Sequence, residues 1–197
     1  MPEGLAWQPL QRTDLHLLSR WLAMPEVSRY FTEPADPAHV EQKYGSRIAE
    51  ADRAEDPGQG VVVPCLAYLG AEPIGYGQYY LLAPDELAQL ELPPSFRWGG
   101  FDLFIGETRH WGRGCGTSLV LGLLTRLRAC GATAAAIDVW VGNGRAVRCY
   151  EKAGLSITRR LPGRETWQGE ERDHWLMSLA PLSDEAAPGG AGWRGGG

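Results

Sequence analysis

Residues 109–117 read Arg-His-Trp-Gly-Arg-Gly-Cys-Gly-Thr, and this run restricts the fold more than any other stretch of the chain. It stands between a strand-like segment, 100–106, and a helical one, 114–130, whose Leu119, Leu123, Leu124 and Leu127 make an apolar stripe. Glycines at alternating positions (Gly112, Gly114, Gly116) permit a tight turn and close approach of a ligand to the backbone. The first amides of a helix have no partner within it, and the aligned peptide dipoles place partial positive charge there. A loop of this kind makes an anion site suited to phosphate, to which Arg109 and Arg113 add full charges. The pattern is not a P-loop, because no Gly-Lys-Ser/Thr follows. It is also not a dinucleotide fingerprint: it comes late in the chain, and Asp138 falls mid-strand rather than at the end of the next strand. A glycine-rich turn that only joins strand to helix fits the loop alone equally well.

The remaining pattern predicts one α/β (α+β) domain over residues 1–182 and a disordered Gly-rich tail over 183–197, which ends Gly-Trp-Arg-Gly-Gly-Gly. Trp7–Leu10 reads as a first strand. Thr13-Asp14 starts a helix that carries Leu15, Leu18 and Leu22 and breaks at Pro25. A polar helix follows from about Pro37 to Arg53, and Asp56-Pro57-Gly58 is a turn. Residues 61–69 and 73–82 read as a hairpin, 84–98 as irregular because of Pro84, Pro93 and Pro94, and 100–106 as a strand. After the 114–130 helix, capped by Gly131, come a strand (135–141), a helix (143–153, capped by Gly154) and strands at 155–160 and 173–179. Alternating strands and helices in the second half predict a partly parallel sheet.

Bulk properties narrow the function classes. With 44% hydrophobic and 22% charged residues, net charge −5 and pI near 5.4, nothing advertises a nucleic-acid surface. The four cysteines form no C-x-x-C pair and the four histidines are scattered, so no metal is expected. The first ten residues lack the basic and apolar regions of a signal peptide, and the longest apolar run is too short for a bilayer. The chain is therefore expected in the cytoplasm, away from membranes; whether it is a monomer or homodimer is not legible in the sequence.

A second block changes the weight of the first. Arg109 through Gly114 matches R-x-x-G-x-G. About thirty residues on, Asn143-Gly144-Arg145-Ala146-Val147-Arg148-Cys149-Tyr150-Glu151-Lys152-Ala153-Gly154-Leu155 resembles N-x-x-A-x-x-x-Y-x-K-x-G-F, with Leu155 for the usual Phe. Both blocks resemble those of the GNAT acetyltransferases, over roughly residues 5–180. Within that superfamily, Glu72-Pro73-Ile74-Gly75-Tyr76-Gly77-Gln78, Gly100-Phe101-Asp102 and Arg148–Gly154 are similar to segments of the aminoglycoside 6′-N-acetyltransferases. Trp21-Leu22 with Arg29-Tyr30-Phe31 resembles their early tryptophan-rich segment, although Tyr30-Phe31 stand where that family has a Trp pair. The stretch 82–98 matches poorly.

The resemblance implies a GNAT fold: a mixed central sheet of six to seven strands with about four helices, two of the strands splayed to form an acetyl-CoA cleft. It implies direct acetyl transfer from acetyl-CoA, as co-substrate and without a metal, to a primary amine on a small cationic molecule. Pantetheine would lie along Phe104, Ile105 and Gly106. The pyrophosphate would sit on Trp111, Gly112, Arg113, Gly114, Cys115, Gly116 and Thr117 beside Arg109, with Asn143, Arg145 and Ala146 contacting the coenzyme from the next helix. Tyr150, two turns along one helix face from Asn143, is expected to protonate the departing thiolate. A carboxylate on an apolar strand needs a partner, so Asp102 is expected to hold the cationic amine and take its proton. Tyr30, Phe31, Gln78, Tyr79, Asp85, Glu86 and Trp98 are candidate walls of the acceptor site. Core packing explains the aromatics, and solvation the loop acids, as readily. A GNAT enzyme for a siderophore precursor, polyamine or protein N-terminus is the first alternative, and a non-catalytic coenzyme A binder the second.

Overall fold

The computed structural model describes residues 4–54 and 60–182. The Asp56-Pro57-Gly58 turn and the tail predicted from residue 183 lie outside them. Thirteen elements are named here in chain order: β1 Leu5–Pro9, α1 Leu15–Leu22, α2 Pro25–Ser28, α3 Pro37–Ala51, β2 Val63–Leu69, β3 Glu72–Leu81, α4 Pro84–Gln89, β4 Trp98–Ile105, α5 Cys115–Ala129, β5 Ala134–Trp140, α6 Gly144–Lys152, β6 Ser156–Trp167 and β7 Glu170–Leu179. The strands form one seven-stranded sheet in the order β1-β2-β3-β4-β5-β7-β6. All neighbours are antiparallel except β4 and β5.

Local chemistry accounts for the element ends. Asp36 caps α3 by accepting from the amides of Ala38 and His39, and Pro37 occupies the first helical position. Gly131 and Gly154 follow α5 and α6 with φ of 80° and 98°, a backbone region that side chains resist. Period-two alternation on the strands then feeds two cores. Val120, Leu123, Leu124 and Leu127 of α5 pack with Phe101 and Tyr79 on one sheet face. Leu18, Trp21 and Leu22 of α1 with Val40 and Tyr44 of α3 cover Leu66 and Tyr76 on the other.

Two stretches differ from their sequence reading. Residues 84–89 are helical rather than irregular, giving six helices instead of about four. Pro84 sits at the first helical position, where it has no hydrogen bond to lose, and Glu86 accepts from the Ala83 amide at 2.7 Å to close the cap. The last two strands are also longer than read. β6 runs through Pro162 and Gly163 by bulging: Leu161 pairs with His174, and the next pair is Glu165 with Arg172. Proline and glycine are tolerated there because β6 is an edge strand.

The feature that makes a site is where β4 leaves β5. The pairing holds at Trp98–Ala134, Gly99–Ala135 and Gly100–Ala136 and then stops. From residue 101 to Ile105, β4 keeps its ladder with β3 but has an open edge on the β5 side.

Candidate active site

The gap between the splayed strands opens into two cavities. The first, about 390 Å³, is lined by Leu103, Phe104 and Ile105 of β4, the glycine-rich loop, and α6. The second, about 570 Å³, lies on the α1–α3 face of the sheet. They share Tyr30, Leu103, Phe104, Asn143, Ala146 and Tyr150, so they meet at the split.

The first cavity is built for an anion. Gly114, in the left-handed region at φ 82°, is the N-cap of α5, and the amides of Cys115, Gly116 and Thr117 open the helix. A Cβ on Gly116 would come within 3.1 Å of the Cys149 sulfur, so glycine there lets α5 and α6 approach. Trp111 donates its indole N–H to the Ile105 carbonyl at 2.9 Å, and the Arg145 guanidinium stacks 4.3 Å from its ring. Arg148 and Lys152, which the sequence reading did not single out, also line this cavity from α6. They continue the face begun by Arg145 at helical spacing, which is the signal that could have found them. Asn143, which lines both cavities, caps α6 by accepting from the Ala146 amide at 3.2 Å.

Four predicted cofactor contacts do not line this cavity. Gly106 packs under the Trp21 ring, and its amide donates to the Ile74 carbonyl at 2.9 Å. Arg109 is held by Glu72 and by Glu107, the latter at 2.6 Å, and steadies the loop from behind. The Cys115 side chain is in the core. Arg113 is exposed and does not line the cavity.

The second cavity carries an excess of carboxylates: Glu33, Glu86, Asp102, Asp138 and Glu165 against Arg47 and His174. Asp102 accepts from Gln78 Nε2 at 2.6 Å and from the Tyr80 hydroxyl at 3.4 Å. No cation lies within ion-pair distance of Asp102 among the described residues. Burial pushes its pKa up against the Gln78 hydrogen bond, and the nearby Asp138 adds to the rise. For Asp138 the balance runs the other way. Burial again favours the neutral acid, but His174 at 3.4 Å and Arg164 at 2.6 Å outweigh it and hold the carboxyl below its usual range. Two carboxylates in one cavity therefore have pKa values driven apart, the arrangement that separates a proton acceptor from a fixed charge.

Tyr150 stands at the junction. Its ring packs edge-on against Phe101 with centroids 5.9 Å apart. The residue lines both cavities, and its hydroxyl has no hydrogen-bond partner among the described residues. Burial and the charges of Cys149, Asp102 and Asp138 raise its pKa well above that of a free tyrosine. Cys149 is half-buried beside the Thr117 hydroxyl, and burial raises its thiol too, which disfavours a nucleophilic thiolate.

The acceptor candidates divide in the same way. Tyr30 and Phe31 line the second cavity, Tyr30 against Trp140 at 5.9 Å and Phe31 against Phe104 at 4.9 Å. Gln78 is buried and committed to its neighbours: its Oε1 accepts from Arg47 and from the Tyr76 hydroxyl, each at 2.7 Å. Tyr79, one residue on, points to the α5 face, because successive strand residues alternate. Trp98 is buried under the α4 loop with its indole on the Pro93 carbonyl, and Asp85 does not line the cavity. Asp138 and Glu165 were missed. Asp138 is a carboxylate on an apolar strand, the argument that found Asp102; Glu165 was hidden because β6 seemed to end at Arg160.

A sheet split between its parallel strands, with a glycine loop at the mouth of the split, defines the GNAT acyltransferases. The family description "Acetyltransferase (GNAT) domain" matches residues 11–161. The chain is 33% identical over 148 residues to the aminoglycoside N(6′)-acetyltransferase type 1 of Klebsiella pneumoniae, covering 72% of this chain and 69% of that one. Aminoglycoside acetyltransferase AAC(6′)-Ib in complex with coenzyme A superposes with a TM-score of 0.70 at 26% identity, over 92% of this chain and 96% of that one. A Vibrio cholerae spermidine N-acetyltransferase in complex with CoA and spermine, 19% identical over 90% of this chain and 96% of that one, shares the fold at a TM-score of 0.70. The chain belongs to the GNAT acetyltransferase family.

Proposed function

We propose that this protein transfers the acetyl group of acetyl-CoA directly to a primary amine of a polycationic amino sugar, the 6′-amine of aminoglycoside antibiotics, and so inactivates them in the cytoplasm. The observation that carries this reading is a carboxylate-rich, aromatic-walled cavity meeting an anion cleft at Asp102 and Tyr150. A cavity of about 570 Å³ suits a compact ligand. Its acids would neutralise several ammonium groups, and aminoglycosides, the substrates in the Klebsiella pneumoniae relative's name, are polycationic.

Coenzyme A fits the first cavity on its own terms. The amides at the start of α5 have the donor geometry for a pyrophosphate, and Arg145, Arg148 and Lys152 supply charge for further phosphate. Alternate backbone groups on the open edge of β4 (Leu103 to Ile105) can pair with the amides of the pantetheine arm, as β5 would have done. When bound there, the coenzyme supplies an acetyl thioester and a thiolate leaving group.

The chain's residues do the rest. Asp138, held ionised, anchors one ammonium. Asp102 holds the reacting nitrogen and takes its proton, directly or through water. The amine nitrogen then forms its bond to the carbonyl carbon as the carbon–sulfur bond breaks. A main-chain N–H at Phe104 or Ile105 meets the charge that develops on the carbonyl oxygen. Tyr150 donates a proton to the leaving sulfur and regains one, through water, from the newly bonded nitrogen as it becomes the amide. Glu33, Glu86 and Glu165 are placed for the remaining ammonium groups, and Tyr30, Phe31 and Trp140 for the sugar rings. Incubation with acetyl-CoA and kanamycin, with the product's acetyl position located by NMR, tests the reading: the 6′-nitrogen is expected, and acetylation elsewhere or none would reject it.

A further inference from the structure

Asp138, one of the acidic cavity's carboxylates, already holds a cation that belongs to the protein. Arg164 Nε lies 2.6 Å from Asp138 Oδ2. The contact is a long reach: Arg164 is on β6, Asp138 on β5, and β7 runs between them. A bulge makes it possible. Residues 162–164 oppose the single residue 173, and Gly163 takes a positive φ of 58° with its amide on Asp173 Oδ1 at 2.9 Å. Extra residues on a strand re-aim the side chain they carry. Here the bulge throws Arg164 across β7 and onto the carboxylate. The other polar partner of Asp138 is His174, whose Nδ1 is 3.4 Å from Oδ1.

The Arg164 side chain is 40% exposed, so its guanidinium can leave for solvent without breaking the core. It also forms part of a side chamber of about 130 Å³ beneath α4, which shares Tyr80, Glu86, Asp102, Ile137 and Asp138 with the acceptor cavity. Arg159 and Arg160, its neighbours on β6, pair instead with Glu91 and Asp173, so of the three it is Arg164 that pairs with a carboxylate of the acceptor cavity.

We propose that Arg164 is a tethered competitor for the acceptor: its guanidinium fills an ammonium position on Asp138 in the free protein and must be displaced when a polycation binds. The device weakens binding of every cationic acceptor and disfavours those with too few charges to displace it. The inference rests on the proposed reading, in which the acceptor enters this cavity.

The test measures dissociation constants by calorimetry on the full chain, with kanamycin and, separately, spermine as probes. The proteins are wild type, Arg164→Gln, Asp138→Asn, the double variant, and Arg160→Gln as a control of equal charge. Arg164→Gln is expected to tighten binding on the order of threefold, the scale of a partly exposed ion pair. Arg160→Gln should do markedly less, and the gain from Arg164→Gln should vanish in the Asp138→Asn background. Binding that Arg164→Gln leaves unmoved or weakens overturns the inference, as does an equal gain from Arg160→Gln or a gain that persists without Asp138. Failure of every protein to bind either probe overturns it as well. Binding of kanamycin without acetylation rejects the proposed function alone, since the Arg164 comparison reads affinity and not turnover.

Discussion

Gln78 Nε2 donates to Asp102 Oδ2 at 2.6 Å across the β3–β4 ladder, from residues that are direct cross-strand partners. The amide cannot turn over, because Oε1 is fixed by the Arg47 guanidinium and the Tyr76 hydroxyl. Arg47 on α3 thus reaches the carboxylate through a side chain rather than as an ion pair. The bond to Gln78 opposes the rise that burial imposes on the Asp102 pKa. Gln78→Ala should therefore push that pKa further up. The acid limb of kcat/KM, where Asp102 gains a proton and can no longer accept one, should move to higher pH than in the wild type. A pH–rate profile with the limb unmoved would show that Gln78 does not tune Asp102.

Asp102→Asn separates activity from stability. An acid whose pKa is raised by folding favours the folded state only while protonated. Its contribution is full below the ordinary carboxylate value near 3.8, is lost as pH rises through the folded pKa, and leaves a penalty at neutral pH. The amide keeps the shape and removes the charge. At pH 7 Tm should rise, by about 2–4 °C for each kcal/mol regained in a chain of this size. Turnover should fall about 10²-fold or more. Calorimetry and steady-state kinetics on the same preparation check both.

Tyr150→Phe removes only the hydroxyl. The ring still packs on Phe101, so Tm and coenzyme A affinity should stay near wild type while kcat falls about 10²-fold. Because burial raises the tyrosine's pKa, the wild-type rate should show no alkaline limb from Tyr150 below about pH 10. Full kcat in the variant would assign the proton to another donor.

Gly114→Ala places a side chain where φ is 82°, at the cap of α5. The left-handed region costs a non-glycine residue about 1–2 kcal/mol, and relief of that strain would turn the opening amides. Lower Tm together with weaker coenzyme A binding is expected. Titration with coenzyme A measures the second effect, and unchanged affinity would remove these amides from the anion site.

The parts that the sequence disclosed are those with local causes. Glycines 112, 114 and 116 mark the loop, the stripe from Leu119 to Leu127 marks α5, and a charge among Phe101, Leu103 and Phe104 marks Asp102. What stayed hidden depends on partners far along the chain. Tyr79 and Gln78 are adjacent yet face opposite cores, and only the sheet's register decides which one meets Asp102. Glu165 reaches the cavity because β6 continues through a bulge, where proline and glycine look like an ending. Arg109 carries a family motif, but it is paired with Glu72 and Glu107, one distant and one near in sequence, and does not line the cavity.

The most direct test of the central claim is thiol release from acetyl-CoA across aminoglycosides that differ only in whether the 6′-position carries a free amine. Turnover confined to the 6′-amine compounds, and lost in Asp102→Asn, is the predicted result. Silence across the panel with coenzyme A still bound, or equal turnover with and without the 6′-amine, would contradict it.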